Sequence, residues 1–293
     1  MEGEFTTDLL CEALCLSRAG YYRYRQGSTF KENKEQAQEV SRVFSEHKRR
    51  YGSRRIVAEL KAQGKAIGRW CVRKQMKKLA LRALQPRSFV PKTTDSAHGK
   101  RNSPNLLLNQ VGERLFKASA PDQVWYSDIT YLPMQGGGFT YLCLWTDLFS
   151  RKIVGWQVEE NMEEWLVIRA LEKAFRSRQP KKGLILHSDR GGQYVSGALR
   201  RLMKDWHCRQ SMSRADNCYD NAMGESLFSR FKAELMQNGT FLSLEDARTE
   251  IFEYIEIYYN RVRRHSSLGY QSPEQFEENY KINIVSLASP LSH

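Results

Sequence analysis

The 293-residue sequence has no long apolar run. Its most apolar stretches, such as 141–145, fall far short of the roughly 20 residues that a membrane helix needs, so no membrane span is expected. The first residues carry Glu2, Glu4 and Asp8 in place of the basic and apolar regions of a secretory leader, which predicts a cytoplasmic protein. Cysteine is sparse: Cys11, Cys15, Cys71, Cys143, Cys208 and Cys218 are spread over more than 200 residues, unlike a disulfide framework, and read as reduced thiols. Cys11 and Cys15 lie one helical turn apart, but no histidine pair stands near them at zinc-ligand spacing. There is no internal repeat and no long heptad pattern. What remains, 41% hydrophobic and 27% charged, is a globular composition with length for about two domains.

Acidic residues are missing from one segment in particular. The whole chain carries +13, whereas residues 41–117 hold 20 basic and 4 acidic residues, a net +16, so the rest is slightly acidic. Solvated helical faces usually mix both signs, but every charge in 69–78 is positive: Arg69, Arg73, Lys74, Lys77 and Lys78. Such a stretch repels itself unless a polyanion meets it, which points to nucleic acid. Ile56, Val57 and Leu60 recur at helical spacing, Gly64 interrupts, and Val72, Met76 and Leu79 resume it, which reads as helix, turn, helix. Arg69, Arg73 and Lys77 then share one face of the second helix, as in a recognition helix, and Arg54 and Arg55 open the first. Upstream, 7–24 reads as a short helical pair whose tyrosines (Tyr21, Tyr22, Tyr24) serve either packing or DNA.

The prolines, serines and glycine after Pro86 mark a linker. Beyond it the pattern changes to runs of Val, Trp, Tyr, Ile, Thr and Phe at 123–132 and 138–147, joined by three glycines and read as a hairpin. A third strand at 151–158 and alternating helices and strands from 162 to 212 predict an α/β sheet of mixed direction. Long helices are expected from Asp220 and from Ser243. The predicted organisation is a helical segment (1–45), a helix-turn-helix module (46–85), a linker (86–117), an α/β core (118–235) and a helical extension (236–293).

Asp128 sits mid-strand in the run 125–131, where a carboxylate is a poor strand former. Asp189 follows a short apolar strand in the run 187–194, and Glu225 stands near the start of a helix. Each has a plain reading as a surface, turn or solvated residue. Together they suit phosphoryl transfer, in which close carboxylates hold two divalent cations about 4 Å apart and the cations offset the carboxylates' mutual repulsion.

These acids, with 35 residues between Asp189 and Glu225, match the three-acid pattern of retroviral-integrase-like transposases. The words around them, with 217–222, Tyr259-Asn260 and 264–273, resemble the OrfB transposases of insertion sequence family three, and the basic helices after Tyr51-Gly52 resemble that family's helix-turn-helix. The resemblance implies a ribonuclease-H-like fold, two Mg²⁺ or Mn²⁺ ions held by Asp128, Asp189 and Glu225, and cleavage and joining of DNA at the terminal inverted repeats of a mobile element and at its target. It also implies an OrfA-type partner or fusion and a homo-oligomer on DNA at the bacterial nucleoid. A nuclease on the same fold and a DNA-binding regulator with an inactive core are the alternatives. Lys232, seven residues after Glu225 on the same helix face, meets the DNA backbone near the cut or is simply solvated. Asp147 is read as a turn residue rather than a helper acid, and His187, on the strand face of Asp189, as a packing residue.

Overall fold

A computed structural model describes residues 6–25, 34–86, 102–108, 113, 116–213, 218–236 and 239–288. For 23–24 and 218–226 it describes the backbone only, so Glu225 has a place on a helix and its side chain, like that of Tyr24, lies outside the described residues. Helices α1 (Thr7–Ala13) and α2 (Arg18–Arg25) form the expected N-terminal pair. Helices α3 (Lys34–Glu46), α4 (Ser53–Ala62) and α5 (Arg69–Lys78) bury Val40, Val43 and Phe44 against Ile56, Leu60 and Val72. The helix-turn-helix is therefore a three-helix unit that begins by Lys34. The expected boundary at 45/46 cuts through it, because charge begins to accumulate only after α3 while α3 supplies much of its apolar core.

The core sheet has strands β1 (Val124–Pro133), β2 (Phe139–Asp147), β3 (Ile153–Glu159), β4 (Ile185–Ser188) and β5 (Arg209–Met212), in the order β3-β2-β1-β4-β5. The first three strands are antiparallel and β4 and β5 run parallel to β1. This is a ribonuclease-H-like sheet. Gly136, Gly137 and Gly138 turn the β1–β2 hairpin at φ of +88°, +99° and +81°, a region that side chains disfavour.

Alternation along the strands sends residues to two layers. Trp125, Cys143, Trp145 and Leu186 pack under α6 (Glu164–Arg178) and α7 (Gly197–Asp205). Helix α6 lies so close to β3 that a Cβ on Gly155 would stand 2.3 Å from the Ala170 carbonyl oxygen. Leu132, Leu142 and Leu144 face the other way, toward Phe228, Phe231 and Leu235 of α8 (Cys218–Met236) and Ile251 of α9 (Leu244–Phe252). The helix expected from Ser243 changes character at Glu253–Tyr259, a π-helical stretch whose wider turn brings Tyr254, Ile255 and Tyr259 into that layer. Helix α10 (Pro273–Ala288) follows.

Part of the expected linker runs along the outer edge of β5. Met212 donates its amide to the Pro104 carbonyl (3.3 Å), the Leu106 amide donates to Ser211 Oγ (2.9 Å) and Ser103 Oγ donates to Gln210 (2.7 Å). An edge strand covered in this way cannot pair with another chain. Among the described residues no helix is long and apolar enough to cross a membrane.

Candidate active site

β1 and β4 are parallel neighbours with Tyr126 opposite His187. Two residues further along each chain stand Asp128, within β1, and Asp189, the residue just past the end of β4. Asp128 pairs with Leu144 and so faces the layer containing α8. Both acids are half-buried. Asp128 accepts from the Tyr126 hydroxyl (3.1 Å) and the Ile129 amide (2.8 Å), and Asp189 Oδ1 accepts from the Gly191 amide (2.9 Å), a short turn before the two glycines.

Both carboxylates act on the same buried groups beneath them. Burial pushes the Cys143 thiol up to about 12, and the charges of Asp128 and Asp189 add to that push. Tyr194 rises far above its usual range for the same reasons, burial first, then Cys143 and the two acids. Ser127 links the pair, with its Oγ 2.9 Å from the Tyr194 hydroxyl and 3.4 Å from Cys143 Sγ.

Glu225, the third of the expected acids, has its backbone on α8, which packs on β1. Lys232 of this helix lies 3.9 Å from the centre of the Tyr131 ring; burial lowers its pKa while the charge of Asp128 opposes the shift. That inward face of α8 therefore lies within electrostatic reach of Asp128. Among the described residues no group of three or more metal-ligating side chains is present, and the Glu225 side chain lies outside that set.

The neighbours sort as expected. Asp147 is fully buried and accepts from the amides of Asp122 (2.7 Å), Phe149 (2.9 Å) and Ser150 (2.8 Å); burial, partly offset by these bonds, raises its pKa. It holds the turn after β2. His187 is buried, with Nδ1 2.8 Å from Ser211 Oγ across the β4–β5 pair. Five described cysteines, Cys11 and Cys15 among them, carry no disulfide.

On the basic module, Arg54, Arg69, Arg73 and Lys77 are exposed and Lys74 is half-buried. Trp70 adds a 64% exposed indole to the module, with Lys74 Nζ 5.1 Å from its ring centroid, and being uncharged it leaves no mark in the charge pattern. Arg55 corrects the expectation. Its guanidinium turns inward, 3.4 Å from Glu234 of α8 and over the Tyr51 ring, and desolvation lowers its pKa. Helical spacing shows which residues share a face, not that another domain covers that face.

The motif words near the C-terminus fasten parts together. Asn260 is buried and pairs both ends of its amide with the Ile153 backbone, at 3.0 Å each. Arg264 donates to Glu59 of the basic module (2.6 Å) and its amide donates to the Tyr51 hydroxyl (2.9 Å).

Models of the integrase core domain match residues 118–218 and 207–273, and a model of an HTH-like domain matches 31–89. Fold and matches together define an integrase-core polynucleotidyl transferase with a helix-turn-helix-like DNA-binding module. The chain is 39% identical over 281 residues to the transposase InsF for insertion sequence IS3A of Escherichia coli, covering 94% of this chain and 95% of that one. It is 40% identical over 274 residues to the 31 kDa protein of insertion element IS600 of Shigella sonnei, covering 92% and 98%. Among solved structures, the catalytic core domain of HTLV-2 integrase in complex with magnesium is similar at 17% identity and a TM-score of 0.39, over 55% of this chain and 98% of that one. The chain belongs to the IS3 family of transposases.

Proposed function

We propose that this transposase uses Asp128, Asp189 and Glu225 as one site for both cleavage at element ends and joining to target DNA. The observation that supports the reading is the parallel pairing of β1 and β4, whose register, continued past Tyr126 and His187, leads both chains toward Asp128 and Asp189 beside α8. Two carboxylates brought close repel each other, and a cation between them relieves that repulsion. Their hard oxygen donors fit Mg²⁺ or Mn²⁺, two ions per site once Glu225 completes the set. When bound, such a pair supplies an activated nucleophile and a neutralised leaving oxygen.

The chain's own contribution is position. The Tyr126 hydroxyl and the Ile129 amide orient Asp128, and the Gly191 amide fixes the rotamer of Asp189. Lys232, half-buried beside Asp128, is placed to meet a phosphate drawn into the site. Arg54, Arg69, Arg73, Lys74 and Lys77 hold the duplex through its backbone, as the acid-free face of α5 suits. The element's inverted repeats and the target are the DNA partners. An OrfA-type partner and a homo-oligomer on DNA at the nucleoid complete the proposal.

The test is a strand-transfer assay on a pre-cut end with Mg²⁺ or Mn²⁺, supplying the OrfA part if the flanking DNA encodes one. Glu225→Gln keeps shape and removes charge, so cutting and joining should fail together while duplex binding persists. Joining at the parental rate would remove Glu225 from the site. A parent that cuts and never joins would favour a nuclease.

A further inference from the structure

Glu234 is 3% exposed and lies at the meeting point of three parts of the chain. Its Oε2 accepts from Arg263 Nε (2.7 Å) and the Tyr254 hydroxyl (2.9 Å), both from the C-terminal segment. Its Oε1 accepts from Arg263 Nη2 (2.7 Å) and from Arg55 Nη1 of the basic module (3.4 Å). Its backbone carbonyl accepts from Arg50 Nε (3.0 Å), whose guanidinium stands 4.5 Å from the Tyr258 ring centroid. Burial alone would raise the pKa of Glu234, but Arg263 and Arg55 hold it below the usual carboxylate range, so it stays ionised.

Such a cluster is a weak stabiliser, because desolvation offsets much of the attraction, but it can be strongly selective for geometry. Only one rotation and one depth of α8 put this carboxylate among all its donors. Glu234 follows Glu225 by nine residues, two and a half turns, so the two occupy opposite sides of one helix. The module reaches the cluster by a short route: on α4, Arg54 is exposed and the next residue, Arg55, points to Glu234.

We propose that Glu234 is a positioning residue through which the docked basic module sets the rotation and depth of α8, so that DNA held by the module orders the helix bearing the third acid. The catalytic part of this inference rests on the assignment of Glu225 above. Coupling of this kind requires that DNA favour the docked arrangement over a looser one. Arg55 is the residue to change, because Arg55→Met leaves the Glu234–Arg263 pair intact and removes a half-buried like charge. Glu234→Gln would instead strand the buried Arg263 and the half-buried Arg55. Arg55→Lys, which keeps a cation in place, is the second variant.

Amide hydrogen exchange of the full chain reads the coupling without catalysis. The probe is a mixed-sequence duplex at low salt, where the phosphate backbone alone holds it. In the parent, saturating duplex should slow exchange in 218–236 by about fivefold or more, the low end of measured couplings. In Arg55→Met that slowing should vanish while protection of 69–78 remains, with Arg55→Lys in between. Equal slowing in the parent and Arg55→Met would overturn the proposal, as would no slowing in the parent. The strand-transfer assay separates the two claims. Coupled exchange without metal-dependent joining would sink the catalytic assignment and keep the coupling; normal joining and unchanged exchange in Arg55→Met would do the reverse.

Discussion

The sheet carries acids at both ends, and the ends differ in what faces those acids. At one end Asp122 and Glu277 share Arg178, which donates to Asp122 at 2.9 Å from Nε and from Nη2, and to Glu277 at 2.7 and 2.9 Å. Burial would lower the pKa of Arg178, but the bonds from the two carboxylates raise it, and Lys152 stands 4.0 Å from Glu277. Counter-charge is built into that end, and it ties α10 to α6 and to the start of β1. At the other end Asp128 and Asp189 accept from a phenol and backbone amides. Under the proposal above, Asp128 and Asp189 are the acids that would meet a divalent cation from solution, with Lys232 of α8 within electrostatic reach of Asp128.

The largest expected effects test that contrast directly. Asp128→Asn and Asp189→Asn should each reduce joining by about a thousandfold or more, on the scale of losing one oriented catalytic group, with little change in urea midpoint. Arg178→Gln should do the opposite. Removing this half-buried guanidinium leaves the buried Glu277 carboxylate short of its main partner, a loss of up to about 3–5 kcal/mol, seen as a fall in the urea midpoint, while joining per folded molecule stays near parental. Stability loss in Asp189→Asn equal to that in Arg178→Gln would erase the distinction.

A third charged cluster sharpens it through pH. His265 is held neutral, its pKa pushed down to about 2 by burial and then by Arg263, Arg55 and Arg151. A base with a depressed folded pKa contributes stability above its unfolded value near 6.5 and loses it as pH falls toward the folded one. Between pH 7 and pH 5 the parent should therefore lose about 2 kcal/mol through this residue. Urea unfolding of His265→Gln at both pH values should lack that loss; an identical loss would assign the pH dependence elsewhere.

The smallest effect separates cations directed inward from cations directed outward. Arg69, Arg73 and Lys77 changed to Glu should weaken duplex binding and flatten the slope of log affinity against log salt by up to about 3, one for each phosphate no longer neutralised. Arg55→Met should leave that slope unchanged, as measured by filter binding.

These contrasts also mark where sequence reading worked. Strands β1 and β2 were legible because β-branched and aromatic runs flank the three glycines at 136–138, and Asp128 stood out because carboxylates fit poorly in such a run. Asp147 was legible as a turn residue from its place before Ser150-Arg151, which the amides on its oxygens bear out. The place of α3 was not, since its apolar residues have meaning only against α4 and α5, which follow it by a turn. Arg55 and Glu234 were illegible for a deeper reason. Their pairing spans 179 positions, and no local pattern signals which surface cation will be covered by a distant helix. The words at 259–270 were legible only as a resemblance, and Asn260 and Arg264 hold the sheet and the basic module to the C-terminal segment.

The most direct measurement is anomalous diffraction from crystals of the full chain soaked in Mn²⁺, with and without a duplex end. Manganese is expected between Asp128 and Asp189, with the Glu225 carboxylate brought to it, and not at the Asp122–Glu277 end where Arg178 already stands. Manganese at that opposite end, or a Glu225 carboxylate more than about 10 Å from the other two with DNA bound, too far to share ions about 4 Å apart, would contradict this expectation.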